Sequence, residues 1–253
     1  MRSNLFWLSD EQWGKIEPLL PTDVRGKERV DDRRVISGIL HVLKSGCRWC
    51  DCPPEYGPST TIYNRFVRWA QRGVWENLFR QLADQGRSTQ TQMIDSTHIK
   101  AHRSAAGGKG GRRKQAIGRS RGGRNTKIHA LADAKGRLLS ILLTGGQAHD
   151  RPVAERLIRR TKPAKKLLGD KAYDSAELRH WLTDRGTKAV IPSLSNRKNP
   201  FSFDKRSYKQ RHRVENAICR LKDFRRIATR YDRLARNFLA AVCLVAAIVW
   251  WTL

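Results

Sequence analysis

The spacing of apolar residues divides the chain into a helical first third and an alternating remainder. Ser9, with Gln12 three positions on, has the capping-box pattern that opens a helix. Trp13, Ile16, Leu19 and Leu20 follow at helical spacing until Pro21 stops the run. A second helix is predicted from Asp31 or Asp32, with Val35, Ile36, Ile39, Leu40, Val42 and Leu43 as its apolar stripe and Ser45-Gly46 as its end. Three prolines and a glycine between Cys50 and Pro58 predict a loop. Ser59 is predicted to cap a third helix that turns Ile62, Phe66, Val67 and Trp69 inward and leaves Tyr63, Asn64, Arg65 and Arg68 outside. Gly73 breaks the pattern, and Val74, Trp75, Leu78, Phe79 and Leu82 make a fourth helix. Closely spaced helices are compatible with helix-turn-helix reading of DNA, although most helix pairs only pack.

Near residue 90 the period changes. Thr91 to Asp95 reads as a short strand ending in an acid, and Lys127–Ala132 and Leu138–Leu143 read as a hairpin around the turn Asp133-Ala134-Lys135-Gly136. Asp150 is predicted to cap a helix with Pro152 in its first turn. Lys166–Gly169 is a short buried strand leading to Asp170, and Asp174 with Glu177 is predicted to cap the next helix. Val190-Ile191 is a further strand, a long helix is predicted from about Tyr208 to Arg230, and a last one from Asn237. Three antiparallel strands followed by alternating helices and strands give an α/β class: a ribonuclease-H-like mixed sheet flanked by helices, preceded by a small all-helical N-terminal domain. The expected division is 1–88 and 89–253.

Composition adds a partner. The 253 residues carry 51 Lys and Arg against 23 Asp and Glu, a formal net charge of +28, far beyond what solubility requires and suited to a polyanion. Eight Trp and a well-patterned apolar set favour an enzyme-like core over a basic structural tail. The charge is concentrated between Lys100 and Lys127, where ten Lys or Arg surround Gly107-Gly108-Lys109-Gly110-Gly111. This stretch is expected to be a flexible cationic loop whose Arg112, Arg113, Lys114, Arg119, Arg121 and Arg124 meet backbone phosphate. The start of the chain lacks a signal-peptide pattern, and five cysteines, three of them at Cys47, Cys50 and Cys52, suit a reducing cytoplasm. Cys47-x2-Cys50 is half a zinc-site spacing without a second pair, and is read as ordinary thiols. The sixteen uncharged residues from Phe238 would span ~24 Å as a helix, short of a ~30 Å hydrocarbon core, so burial in protein is expected rather than a membrane.

The candidate chemistry lies in three carboxylates. Asp95 and Asp170 each follow a short apolar strand, where neighbouring strand ends can bring them together. Acids at strand ends also serve as caps or turn residues, so neither is decisive alone. Such a pair repels unless a cation neutralises it, and a hard divalent ion suits oxygen ligands. Glu215 shares one helical stripe with Tyr208, Arg211 and Lys222, beside an apolar stripe of Val214, Ile218 and Leu221. An Arg–Glu pair on a solvated face is the plainer explanation of Arg211 and Glu215 alone.

The spacing Tyr208-x2-Arg211-x3-Glu215-x6-Lys222, with Ile94-Asp95-Ser96-Thr97 and Gly169-Asp170-Lys171-Ala172-Tyr173-Asp174, resembles the catalytic signature of bacterial insertion-sequence transposases, and is similar to the insertion sequence 5 family. Gly46-Cys47-Arg48-Trp49, Pro53-Pro54-Glu55-Tyr56-Gly57, Thr126–Ala130 and Ala148-His149-Asp150 extend the resemblance over nearly the whole chain. It implies metal-dependent DNA cleavage and strand transfer by Asp95, Asp170 and Glu215 with two Mg²⁺ or Mn²⁺ ions, and phosphate or transition-state support from Tyr208, Arg211 and Lys222. It also implies double-stranded partners, the terminal inverted repeats and target DNA, a homodimer or larger synaptic assembly, and a cytoplasmic, nucleoid-associated place. The alternatives are a metal-dependent nuclease without strand transfer and a sequence-specific DNA-binding regulator.

Overall fold

A computed structural model describes residues 5–22, 29–86 and 90–252. The division expected at 88/89 lies outside the described residues. The N-terminal helices form where their caps and stripes place them. Helix α1 (Asp10–Ile16) is opened by the Ser9–Gln12 capping box. Helix α2 (Asp32–Ser45) is capped by Asp31 and ends at Gly46, whose φ of 82° is the left-handed closure that glycine permits. All six residues of its apolar stripe are buried. Cys50–Pro58 is not featureless: it holds two 3-10 turns, Trp49–Asp51 and Pro54–Tyr56. Helix α3 (Ser59–Gln71) begins at Ser59 itself, with Pro58 in the cap position, and α4 (Val74–Gly86) follows after Gly73.

One expectation for α3 fails. Tyr63, Asn64 and Arg68 are exposed, but Arg65 is buried, its guanidinium paired with Asp32 and lying 5.0 Å from the centre of the Trp69 ring. The cause is the packing of α3 against α2, which brings the Arg65 guanidinium to Asp32 at the start of its neighbour. Arg65 is therefore a packing residue and not a surface contact for DNA. Arg65→Ala should lower stability by about 3 kcal/mol, since Asp32 is left in a nearly buried site with Arg29 alone. Urea midpoints of the wild type and the variant check this, and an unchanged midpoint would refute it.

The seven-stranded sheet is mixed, as expected. Its strands are β1 (Thr91–Ala101), β2 (Gly118–Ser120), β3 (Gly123–Asp133), β4 (Leu138–Gly145), β5 (Lys166–Leu168), β6 (Lys188–Val190) and β7 (Thr229–Arg230). β1 pairs antiparallel with β3, and β3 with β4 and β2; β5, β6 and β7 join in parallel, giving β4-β3-β1-β5-β6 across the middle. Helices α5 (Arg151–Ile158) and α6 (Ala176–Asp184) cover the face formed by Ile94, Leu131, Leu142 and Leu167. The other face, with Met93, Ile99, Ile128 and Ala130, packs against α7 (His212–Lys222), α8 (Ala235–Trp251) and the N-terminal helices in one continuous apolar cluster from Leu8 to Trp251.

Three elements differ from expectation. Strand β1 runs eleven residues, so Asp95 lies in its middle rather than at its end. The long helix expected over 208–230 is broken into a turn at Lys205–Tyr208, a 3-10 turn at Lys209–Arg211, α7, a turn at Arg225–Ala228 and β7. Pairing of Thr229 and Arg230 with Lys100 and Ala101 holds the chain extended there, so a tertiary contact overrides helix propensity. The basic segment is partly ordered: Gly111–Lys114 forms a helical turn, Gly118–Asn125 a hairpin, and Ala101, Ala105 and Ile117 a small apolar cluster beneath it. Helix α8 is buried as expected, and among the described residues no helix is long and apolar enough to cross a membrane.

Candidate active site

The site begins with a gap in the sheet. On the side away from β3, β1 pairs with β5 through Thr91–Met93 and with β7 through Lys100 and Ala101, so among the described residues no strand covers Ile94–Ile99 there. Asp95 sits in this gap with its side chain 17% exposed. Its Oδ1 accepts a 2.8 Å hydrogen bond from the Ser96 backbone N–H. Burial lifts its pKa to about 6, and the negative charges of Asp170 and Glu215 push the same way against the Ser96 hydrogen bond and Arg211.

Asp170 reaches the same neighbourhood from the end of β5. Gly169 allows this close approach, since a Cβ there would stand 3.0 Å from Ile94 Cγ2 and 3.3 Å from Tyr173 Cδ2. The Asp170 carboxylate opens the 3-10 turn Lys171–Tyr173 by accepting from the Ala172 N–H at 2.9 Å. Glu215 arrives on the first turn of α7, half exposed, and Arg211 precedes that helix. Arg211 spans the acids: Nη2 donates to Glu215, and Nη1 stands 3.5 Å from Asp95 Oδ2. Burial works against the Arg211 charge, but Asp95, Glu215, Tyr208 and Asp170 outweigh it and raise its pKa. The guanidinium lies 5.9 Å from the centre of the Tyr208 ring, which packs edge-on against Phe203. Lys222 is half-buried at the far end of α7, seven residues or ~10 Å along the axis from Glu215. Among the described residues no three acidic, His or Cys groups converge closely enough to hold an ion. Asp95 and Glu215 instead share Arg211.

Directly behind Asp95, on the opposite face, lies a polar network that sequence reasoning did not assemble. The β1–β3 register places Ser96 against His129 and His98 against Lys127. Asp150 closes this group, with Oδ1 3.3 Å from Lys127 Nζ and 3.2 Å from His129 Nδ1. Burial alone would raise the Asp150 pKa, but His129, Ser96 and Lys127 outweigh it and hold it at about 2. Asp150 therefore binds side chains and makes no side-chain capping bond to α5. Tyr173 is buried beside it with no hydrogen-bond partner for its hydroxyl among the described residues. Burial and the charges of Asp150, Asp95 and Asp170 keep that phenol protonated well above its usual range. The alternation of Lys127 and His129 with Ile128 and Ala130 was the signal in the sequence: two polar residues on the inward face of a central strand. Asp174 is likewise not a cap. It is buried, paired with Arg179 at 3.0 Å and Arg197 at 2.8 Å, while Ser175 caps α6.

Arg112, Arg113, Lys114, Arg119 and Arg121 are exposed and Arg124 half-buried; none of the six pairs with an acid among the described residues. Arg119 and Arg124 face each other across the β2–β3 hairpin, a like-charge pair that a neighbouring anion would relieve. Arg230, counted in the basic excess, is fully buried and donates to Thr126 Oγ1 at 2.6 Å and to the Asp232 carbonyl at 2.9 Å, tying this segment to the β7 corner.

Comparison with known proteins places both parts of the chain. Residues 8–79 match the family profile "Putative transposase of IS4/5 family", and residues 86–250 match "Transposase DDE domain". The protein y4sN of Sinorhizobium fredii is 35% identical over 114 residues, 43% of this chain and 90% of that protein. The "Putative transposase for insertion sequence element IS6501" of Brucella ovis is 35% identical over 126 residues, 49% of this chain and 97% of that protein. A cryo-EM structure of a piggyBac transposase synaptic complex with hairpin DNA shares the fold at a TM-score of 0.51 and 11% identity, covering 96% of this chain and 72% of that one.

Proposed function

Since the chain belongs to the DDE transposase family, we propose that it cuts the terminal inverted repeats of an insertion sequence and joins the freed ends to target DNA, with Asp95, Asp170 and Glu215 as its catalytic carboxylates. The observation that carries this reading is the gathering of Asp95 and Glu215 around one arginine, with Asp170 close enough to bear on both Asp95 and Arg211. The donor types suit hard divalent cations: three carboxylates, of which Asp95 is held against ionisation chiefly by its burial, with Asp170 and Glu215 adding to it. Mg²⁺ or Mn²⁺ bound there, as two ions, would supply a more acidic water and neutralise the leaving 3′ oxygen. Arg211, the cation that now neutralises the acids, is placed to turn toward a phosphate when other cations take over that role. Tyr208 supports the Arg211 guanidinium through its ring, and Lys222 extends the positive stripe along α7.

DNA is the partner that fits the +28 charge and the unpaired cations of the hairpin segment. Holding two element ends at once calls for a dimer or larger assembly, working at the nucleoid. The deciding assay incubates the protein with a terminal-repeat duplex, Mg²⁺ and a target plasmid. Joined products are expected. Nicks without joining would leave a nuclease, and binding without nicks a regulator. Replacing Arg112, Arg113 and Lys114 by Ala should reduce the slope of log affinity against log salt by ~3. An unchanged slope would make the segment a spacer.

A further inference from the structure

The pairing of β1 with β5 runs from Thr91–Lys166 to Met93–Leu168, so it ends two residues short of Asp95 and two short of Asp170. Beyond that last rung no strand pairing among the described residues fixes the distance between the two acids. Tyr173 crosses the opening. Its backbone N–H closes the turn onto the Asp170 carbonyl at 3.1 Å. Its ring lies against Gly169 and belongs to the apolar cluster that holds Ile94. Its hydroxyl end reaches the back of β1. Behind burial, the charge of Asp150 is what most raises the phenol pKa, and the Ser96 side chain, on the residue after Asp95, works against them. One side chain thus joins the turn that carries Asp170 to the strand position next to Asp95.

Both ends of this link are firm. Ser96 donates its backbone N–H to Asp95 Oδ1 at 2.8 Å, and Asp150 is held by Lys127 and His129 of β3. The middle is not closed. Among the described residues the buried Tyr173 hydroxyl makes no hydrogen bond, and Asp150 Oδ1 accepts none. Here the Asp95 carboxylate is drawn toward Arg211, 3.5 Å away, and Asp170 toward its own turn. Packing does not account for the hydroxyl, because a phenylalanine ring would fill the same space without dehydrating a polar group. An unmet donor beside an unmet acceptor costs free energy in this state and favours any state that closes the two.

We propose that Tyr173 is a positioning residue for DNA cutting: its hydroxyl closes onto the Ser96–Asp150 pair when a divalent cation draws Asp95 and Asp170 together, and so couples the spacing of the two acids to their affinity for the cation. At 1% exposure the phenol reaches neither DNA nor the reacting phosphate, so its action runs through the acids. Closing the bond stabilises only the cation-bound state, which makes Tyr173 a contributor to cation affinity and not to the stability of the cation-free fold. The inference rests on the reading of Asp95 and Asp170 as cation ligands.

The test replaces Tyr173 by Phe and measures Mn²⁺ binding to the whole protein through the loss of the free-ion electron paramagnetic resonance signal. Tyr173→Phe should bind Mn²⁺ on the order of tenfold more weakly, the usual consequence of losing a group that orients a metal ligand. The Mn²⁺ concentration that half-saturates cleavage of a terminal-repeat duplex should rise by the same factor, with a smaller fall in the rate at saturation. The urea midpoint without metal should not fall, since no bond is lost in that state. Ser96→Ala, which keeps the backbone donor to Asp95, should give the same shift, and the double variant no more than either alone. Wild-type Mn²⁺ affinity in Tyr173→Phe, a lowered urea midpoint as its sole effect, or shifts that multiply in the double variant would each overturn the link while leaving the carboxylate reading in place. A wild type that neither binds Mn²⁺ nor cuts the duplex would remove that reading, and the link with it.

Discussion

Asp170→Asn should abolish cleavage of a terminal-repeat duplex, by ~10³-fold or more, while DNA binding stays intact or tightens. The substitution keeps the shape of the side chain and its acceptor oxygen for the Ala172 N–H, so the 3-10 turn at Lys171–Tyr173 survives. On the proposed reading, what it removes is one negative charge from the three that would hold divalent cations, and one repulsion toward the phosphate backbone. Cleavage by gel assay and affinity by fluorescence anisotropy, measured on the same preparation, separate the two effects. Cleavage at the wild-type rate would sink the assignment of Asp170.

The second large effect concerns stability. Asp150→Ala strands Lys127 and His129, whose side chains are 8% and 1% exposed, without their acid, and should cost about 3–5 kcal/mol. Asp150→Asn should also lose most of this, because an amide keeps the volume but not the charge. The pH dependence has a definite sign. The folded pKa of about 2 lies below the unfolded carboxylate value of ~3.9, so the ionised pair contributes its full stabilisation above about pH 4. That contribution, ~3 kcal/mol from the shift, is lost progressively as pH falls from the unfolded value through about 2. Urea midpoints taken at neutral pH and at progressively lower pH should therefore bring wild type and variant closer together. A gap that stays constant over that range would show that Asp150 acts through packing and not through its charge.

How far these features could be read in advance follows from what carries each one. Local signals were sufficient where the structure is locally determined: the Ser9 cap, the α2 stripe and the Asp133–Gly136 turn of the β3–β4 hairpin are all set by neighbours in sequence. The gathering of Arg211 and Glu215 was also legible, since an i,i+4 pair needs only a helical turn. Long-range pairing was not. Nothing near Arg230 announces that β7 will lie against Lys100 and Ala101 and interrupt a helix-forming stretch. Arg65 looked like a surface cation because its true partner, Asp32, is 33 residues away on another helix. Asp150 and Asp174 were read as caps for the same reason: an acid before a helix has a local explanation, and the distant cations that bind these two are invisible to it. The charge excess pointed to a partner but could not divide the arginines into those that face outward and those, such as Arg226 and Arg230, that are consumed within the protein.

The burial of α8 also governs the order in which the protein can be made. Ala240–Ile248 packs into the same apolar cluster as Ile36, Leu40, Phe66 and Leu78 of the N-terminal helices, so the layer translated first is completed by the last helix described. At ~5–20 residues per second, the ribosome needs on the order of ten seconds or more between α4 and α8. Throughout that interval the nascent helices present a sticky, unfinished surface. Premature termination anywhere in the catalytic region would leave that surface uncovered. The shape of the fold thus gives the cell a way to recognise incomplete copies of this enzyme before they reach DNA, through the chaperones and proteases that attend exposed apolar faces.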